Sequence, residues 1–90
     1  MTKKILILPG DGIGQEVTKS AVEVLNFVTE KFNLAFSITS LEVGGTAYDK
    51  FGSPIPDEVL KSAKEADAVL FGAVGGPKWD QLEWDDRPEN

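Results

Sequence analysis

Cysteine and histidine are both absent from the 90-residue sequence. Without cysteine the chain forms neither a disulfide framework nor a thiolate zinc site, and it offers no cysteine nucleophile. Without histidine it lacks the commonest general base. Acid–base chemistry within these residues would depend on carboxylates, Lys78 or Tyr48. The lack of cysteine also fits a cytoplasmic protein, which is the location we expect.

Long apolar runs and positive charge are also in short supply. No stretch approaches the ~20 apolar residues needed to span a bilayer. The apolar run after Lys3 and Lys4 is too short for a signal-peptide core. Nine basic residues against 15 acidic ones give a net charge of −6, so the chain lacks the basic surface typical of nucleic-acid binding. We therefore expect neither a membrane nor a nucleic-acid partner.

The negative charge is concentrated in residues 80–90. Five acidic residues and one basic residue give this segment a charge of −4, which leaves −2 for the first 79 residues. The charged residues are Asp80, Glu83, Asp85, Asp86, Arg87 and Glu89. On charge statistics alone, the favoured interpretation is a solvated acidic tail.

The first half of the chain predicts a strand, a helix and a second strand. Ile5 to Leu8 form a short apolar run closed by Pro9-Gly10, which is typical of a buried strand. Apolar residues then recur at helical spacing over residues 17–32, which predicts an amphipathic helix. Residues 34–39 alternate as in a half-buried strand.

That alternation slips at Ser40 and resumes at Leu41 and Val43, which predicts a bulge or bend at Ser40. A short helical turn is predicted over residues 46–50. Pro56-Asp57-Glu58 suits the first turn of a second helix, because proline pre-sets the backbone and acidic groups favour the helix dipole.

Residues 68–71 predict a third strand, which Ala73 and Val74 continue. The order β-α-β-(turn)-α-β predicts an α/β fold with parallel pairing. Two main helices are scant cover for the two faces of a parallel sheet. We therefore expect the chain to be the opening of a larger, mainly parallel sheet.

The segment GDGIGQEV, residues 10–17, lies between a strand and a helix and is the first candidate ligand site. The dinucleotide fingerprint needs glycine at the sixth position, where Gln15 stands, and no Walker lysine follows. The favoured interpretation is a tight turn in which Asp11 caps a backbone amide, with ligand contact as the alternative.

The segment GAVGGPKWDQLEWDDRPE, residues 72–89, directly follows a strand, where open α/β sheets place their ligands. Trp79 offers a flat apolar face, and Lys78 and Arg87 supply cations for phosphate or carboxylate. Ligand contact and packing of the tryptophans on the domain are equally favoured. For GGTAYDKFGSPIP, residues 44–56, a connecting turn is preferred over a pocket wall.

Three segments taken in order resemble the β-decarboxylating dehydrogenases. They are LPGDGIGQEV (8–17), VGGTAYDKFGSPIP (43–56) and DAVLFGAVGGPKWD (67–80). The last is the most specific, because GAVGGPKW followed by RPE is similar to the 3-isopropylmalate dehydrogenase branch. One departure is Gln15, where members commonly have proline, and glutamine at an early helical position is expected to be tolerated.

The resemblance implies a non-Rossmann, isopropylmalate dehydrogenase-like α/β fold, in agreement with the failed glycine fingerprint. It also implies oxidative decarboxylation of (2R,3S)-3-isopropylmalate to 4-methyl-2-oxopentanoate in leucine biosynthesis, with NAD and Mg²⁺ or Mn²⁺, by a cytoplasmic homodimer. Residues that match the family's NAD-contacting positions are Gly76, Pro77, Lys78, Trp79, Asp80, Gln81, Leu82, Glu83, Trp84, Asp85, Asp86, Arg87, Pro88, Glu89 and, more weakly, Ile13.

The family's substrate-clamping arginines, proton-transfer residues and metal-binding aspartates match nothing in residues 1–90. We therefore expect an incomplete amino-terminal part of one dehydrogenase subunit, with no catalytic or metal-binding residue of its own. Two alternatives remain open: a related enzyme acting on isocitrate, tartrate or homoisocitrate, and a non-catalytic remnant that binds a nucleotide.

Overall fold

A computed structural model describes residues 2–88, apart from the side chain of Asp86. The larger elements are β1 (Lys3–Gly10), α1 (Ile13–Lys31), β2 (Phe36–Ser40), α2 (Gly45–Phe51), α3 (Asp57–Glu65) and β3 (Ala68–Ala73). Two single-turn 3₁₀ helices follow, at Pro77–Trp79 and Trp84–Asp86. The α/β class and the predicted order of elements are confirmed.

The three strands form a parallel sheet in the order β2-β1-β3, with β1 at its centre. In the register of this sheet, Ile5 pairs with Ile38 on one side and with Ala68 on the other. Because the strands are parallel, the loops that follow β1 and β3 leave the same edge of the sheet. This arrangement brings the first and last candidate segments together.

The two faces of β1 pack against different helices. Leu6 and Leu8 form a buried cluster with Val43 and with Val59 of α3. Ile7 points the other way and lines a groove beneath α1. The alternation of a strand therefore buries β1 on both faces, as the unbroken apolar run predicts.

The chain bends after Ser40, as predicted, but the predicted return of the strand at Leu41 and Val43 is wrong. Leu41 makes a last backbone bond to Ile7 at 3.0 Å, and the chain then turns away from the sheet. Val43 instead packs into the core beneath α3, and the amide of Gly44 donates to Pro54 at 2.6 Å. The apolar positions that suggested a strand belong to the core under α3.

Three further boundaries refine the predictions. Pro56 immediately precedes α3, and Asp57 and Glu58 occupy its first turn. Val74 lies one residue beyond β3. Strand β2 is an edge strand and is more exposed than a half-buried strand, since only Phe36 is partly covered.

Among residues 2–88, no helix combines the length and apolar character needed to cross a membrane.

Candidate functional site

A buried carboxylate lies where the three candidate segments meet. Asp11 follows β1 and is only 3% exposed. Its Oδ2 accepts hydrogen bonds from the amides of Gly45 at 2.7 Å and Gly75 at 2.9 Å. Its Oδ1 accepts from the amide of Thr46 at 2.8 Å and from the hydroxyl of that residue at 2.9 Å. One side chain thus joins the ends of β1 and β3 to the start of α2.

These hydrogen bonds keep Asp11 ionised. Burial raises the pKa of its carboxyl group, but the backbone donors of Gly75, Gly45 and Thr46, together with the Thr46 hydroxyl, outweigh that effect. The pKa therefore lies below its usual value. A carboxylate that accepts several backbone N–H groups is stabilised in its charged form.

The predicted capping role of Asp11 is confirmed, although the capped helix is not its own. Gly12 is the residue that precedes α1, and no side chain caps that helix. Asp11 instead satisfies the first amides of α2, which lies 34 residues downstream. Sequence spacing could not identify this partner, because capping is normally a local interaction.

Close backbone approach explains Gly14, which directly precedes Gln15, the residue at which the dinucleotide fingerprint fails. A side chain there would overlap the carbonyl oxygens of Pro9 and Ala73 and the amide of Ala73. The amide of Asp11 also donates to the carbonyl of Ala73 at 2.7 Å. The glycine therefore allows α1 to begin directly against the end of β3, a packing role rather than a phosphate cradle.

The loop after β3 has a second anchor on α2. The indole of Trp79 lies against Gly45 so closely that a Cβ at this glycine would overlap the ring. The indole Nε1 donates to Asp49 Oδ1 at 3.3 Å, and Lys78 Nζ donates to Asp49 Oδ2 at 2.7 Å. The hydrogen bonds from Lys78 and then Trp79, and the charge of Lys78, outweigh a small opposing effect of burial, so the pKa of Asp49 is lowered.

These contacts correct the interpretation of residues 44–56 as mainly a connecting turn. Its first half is helix α2, which carries the loop that follows β3, and only the remainder connects α2 to α3. The part played by Gly45 and Asp49 was missed in the sequence. The Gly44-Gly45 pair was the available signal, since paired glycines often mark close approach.

The outer part of the loop lies at the surface. Trp84 is 66% exposed, and the guanidinium of Arg87 lies 5.7 Å from the centre of its ring. Arg87 Nε also donates to the carbonyl of Leu82 at 3.1 Å, which closes the turn between them. The two tryptophans therefore differ: Trp79 packs on α2, and Trp84 presents most of its surface to solvent.

The predicted cofactor residues are only partly brought together. Lys78 and Trp79 contact Asp49 and Gly45 of α2, whereas Trp84 and Arg87 contact each other near the end of the loop. Ile13 begins α1 at the same edge of the sheet and is 67% exposed. Glu89 and the side chain of Asp86 lie outside the described part of the chain.

Two other features bear on what the site holds. A groove of about 700 Å³ runs between α1 and β2 and includes Gly10 and Gln15, but none of residues 76–88 lines it. Within residues 2–88, no three acidic, histidine or cysteine side chains cluster in a way that could hold a metal ion.

The fold and the site define an α/β protein whose strand-end loops meet at a buried aspartate, without a Rossmann glycine fingerprint. Residues 4–90 match the family model described as isocitrate/isopropylmalate dehydrogenase. The chain therefore belongs to this family of oxidoreductases.

Individual relatives agree with the family match. The chain is 58% identical over 89 residues to a 3-isopropylmalate dehydrogenase of Pseudomonas putida, covering 99% of this chain and 25% of the relative. A corresponding protein of Xanthomonas axonopodis is 56% identical over the same shares. This chain thus spans about a quarter of the length of these relatives.

Solved structures show the same fold. A β-decarboxylating dehydrogenase of Thermococcus kodakarensis matches with a TM-score of 0.69 and 40% identity, over 83% of this chain and 21% of the other. An isocitrate dehydrogenase of Methylococcus capsulatus matches with a TM-score of 0.62 and 31% identity, over 88% and 23%. The expected isopropylmalate dehydrogenase-like fold is confirmed.

Proposed function

We propose that this chain forms the cofactor-positioning part of an NAD-dependent 3-isopropylmalate dehydrogenase. The complete enzyme oxidatively decarboxylates (2R,3S)-3-isopropylmalate to 4-methyl-2-oxopentanoate in leucine biosynthesis. The observation that carries the proposal is the loop after β3, in which Gly75 is bound by Asp11 and Lys78 and Trp79 are held on α2, while most of the Trp84 ring is exposed. The 58% identity to the Pseudomonas putida protein supports this choice within the family.

In this proposal, residues 76–89 and Ile13 contact NAD. The described part of the loop suits a dinucleotide, because it offers the broad exposed ring of Trp84 and the cation of Lys78. Aromatic rings stack on nucleotide bases, and lysine is a common phosphate ligand. Lys78 is paired with Asp49 at 2.7 Å and is largely exposed, so it can exchange that partner for a phosphate.

The remaining chemistry lies outside these residues. NAD, when bound, accepts the hydride, and this chain binds and orients it. We place the catalytic residues and the ligands of Mg²⁺ or Mn²⁺ in the portion of the relatives that this chain does not span. We also propose a cytoplasmic homodimer that acts on a small molecule and contacts neither nucleic acid nor membrane.

The purified 90-residue chain is expected to show no NADH formation with isopropylmalate, NAD and Mn²⁺. A chimera tests the function itself: residues 1–90 replace the matching quarter of the Pseudomonas putida relative. We expect this chimera to reduce NAD with isopropylmalate. Turnover by the isolated chain would contradict the first expectation. A soluble, folded chimera without activity would contradict the proposed function.

A related substrate is the second candidate, favoured by the match to an isocitrate dehydrogenase. Substrate profiling of the complete protein that carries this segment separates the two. Preference for isocitrate, tartrate or homoisocitrate over isopropylmalate would select the alternative. The other alternative is a non-catalytic remnant that binds a nucleotide. It predicts saturable NAD binding by the isolated chain together with an inactive chimera.

A further inference from the structure

The Asp11 carboxylate binds the backbone at the start of the loop that follows β3. One oxygen, Oδ2, accepts both the amide of Gly75 and the amide of Gly45. These two backbone segments are therefore held within hydrogen-bond reach of a single atom, although they lie 30 residues apart in the chain. The carboxylate is buried, so water does not compete readily for these donors.

We propose that Asp11 is a positioning residue, whose carboxylate fixes Gly75 against the start of α2 and thereby sets where the NAD-contacting loop begins. This inference rests on the proposed function. Asp11 contacts the loop backbone rather than the cofactor, and it acts through residues 76–89. Its removal is expected to weaken NAD binding more than the chemical step.

The chemistry of the four donors makes a carboxylate necessary. Three of them are backbone amides, and the fourth is the hydroxyl of Thr46. An asparagine has the same shape but replaces one acceptor oxygen with an NH₂ group. In either orientation, that NH₂ group faces at least one backbone N–H. Asp11→Asn therefore places donor against donor without removing volume.

The second anchor makes the expected effect local. Trp79 packs on Gly45 and donates to Asp49, and the Asp11 side chain is not a partner in either contact. Loss of the carboxylate should consequently displace the loop at Gly75 while the indole of Trp79 keeps its place. The two NMR signals therefore report on different contacts. The amide of Gly75 reports on the Asp11 carboxylate, and the indole N–H of Trp79 reports on the contact with Asp49.

Few charges complicate the titration of Asp11. Its hydrogen-bond partners within residues 2–88 are neutral. The side chains charged at neutral pH that lie nearest in sequence on the packed segments are Glu16 of α1, Glu42 before α2, Asp49 of α2 and Lys78 of the loop. Asp49 and Lys78 neutralise each other as an ion pair.

Amide NMR of the 90-residue chain tests the contact. In Asp11→Asn we expect the Gly75 and Gly45 amide proton signals to move upfield, while the Trp79 indole signal moves little. The control is Asp67→Asn, which alters a carboxylate that accepts one amide, that of Lys4 at 2.7 Å, at the other end of the sheet. It should leave the Gly75 signal unchanged.

An acid titration of the unmutated chain serves if Asp11→Asn does not fold. The folded pKa of Asp11 is lowered from 3.8, so its hydrogen bonds persist at and above that pH and weaken only as pH falls through the lower, folded value. The amides of Gly45, Thr46 and Gly75 should then titrate together. A Gly75 amide signal that shifts neither in Asp11→Asn nor on acidification would overturn the proposal.

The active chimera supplies the functional readout. Asp11→Asn is expected to raise KM for NAD about tenfold, or about 1.4 kcal/mol, with a smaller change in kcat. Asp67→Asn should leave both unchanged. An unaltered KM for NAD in Asp11→Asn would overturn the positioning role. An unmutated chimera without activity would instead count against the proposed function, and the NMR measurements would still decide the contact.

Discussion

At the scale of single residues, Gly45 decides how closely α2 and the loop after β3 can pack. It is the first residue of α2, and a methyl group at this position would overlap the ring of Trp79. Two effects of Gly45→Ala therefore oppose each other. Alanine in a helix is favoured over glycine by about 0.5–1 kcal/mol, whereas overpacking costs about 1–3 kcal/mol.

We expect the overlap to dominate, so Gly45→Ala should lower the free energy of unfolding by about 1 kcal/mol. Urea unfolding followed by tryptophan fluorescence measures it. The control is the same substitution in a Trp79→Leu background, where the ring is gone and alanine should be neutral or stabilising. An equal loss in both backgrounds would show that the indole is not the cause.

At the scale of single residues, the sequence predicted the kind of contact that Asp11 makes but did not identify its partners. A carboxylate after a strand and before a helix was expected to cap an amide, and Asp11 does so. The amides belong to residues 45, 46 and 75, and no local pattern encodes contacts over such separations. The same holds for the contact of Trp79 with Gly45, which depends on the strand order of the sheet.

At the scale of elements, α3 is held to the sheet by a narrow apolar contact. Val59 is 3% exposed and packs against Leu6 and Leu8 of β1 and against Val43. Leu60 is its neighbour on the same helix and is 42% exposed. The two positions therefore separate the contribution of core packing from that of helix propensity.

Val59→Ala should destabilise the chain by about 2 kcal/mol, because it removes two buried methyl groups and leaves a cavity. Leu60→Ala removes more atoms but should cost less than about 1 kcal/mol, since its side chain is partly in water. Urea midpoints of the two variants provide the comparison. A larger loss for Leu60→Ala would contradict the assignment of the core face of α3.

Helices and strands with strong periodicity were predictable, and the segment that leaves the sheet was not. The apolar runs of β1 and β3 and the spacing in α1 correspond to real elements. Leu41 and Val43 look like a strand because they alternate, yet they pack beneath α3. Periodicity reports which side chains are buried, and it cannot by itself tell a strand from an irregular segment with the same alternation.

At the scale of the whole molecule, the described chain covers its sheet incompletely. Phe27 on α1 is 63% exposed and Phe71 on β3 is 51% exposed. The radius of gyration is 14.2 Å. A compact domain of this length typically has a radius of gyration of about 12 Å. These properties are consistent with the expectation, drawn from scant helix cover, that the sheet belongs to a larger one.

The family could be inferred from motif order, whereas the cofactor geometry could not. The three matched segments meet at Asp11, which gives a physical reason for their occurrence together. Trp84 of the outer loop, however, lies mostly at the surface, where packing constrains a side chain little. The contact of this loop with NAD therefore stays a prediction.

We propose that the loop after β3 contacts NAD, and a substitution of Lys78 examines this claim. In the active chimera, Lys78→Ala should raise KM for NAD about fivefold, or about 1 kcal/mol, and leave KM for isopropylmalate unchanged. Lys50→Ala is the control, because Lys50 also pairs with a carboxylate at 2.7 Å but lies outside the loop. Equal KM values for NAD in the two variants would contradict the claim.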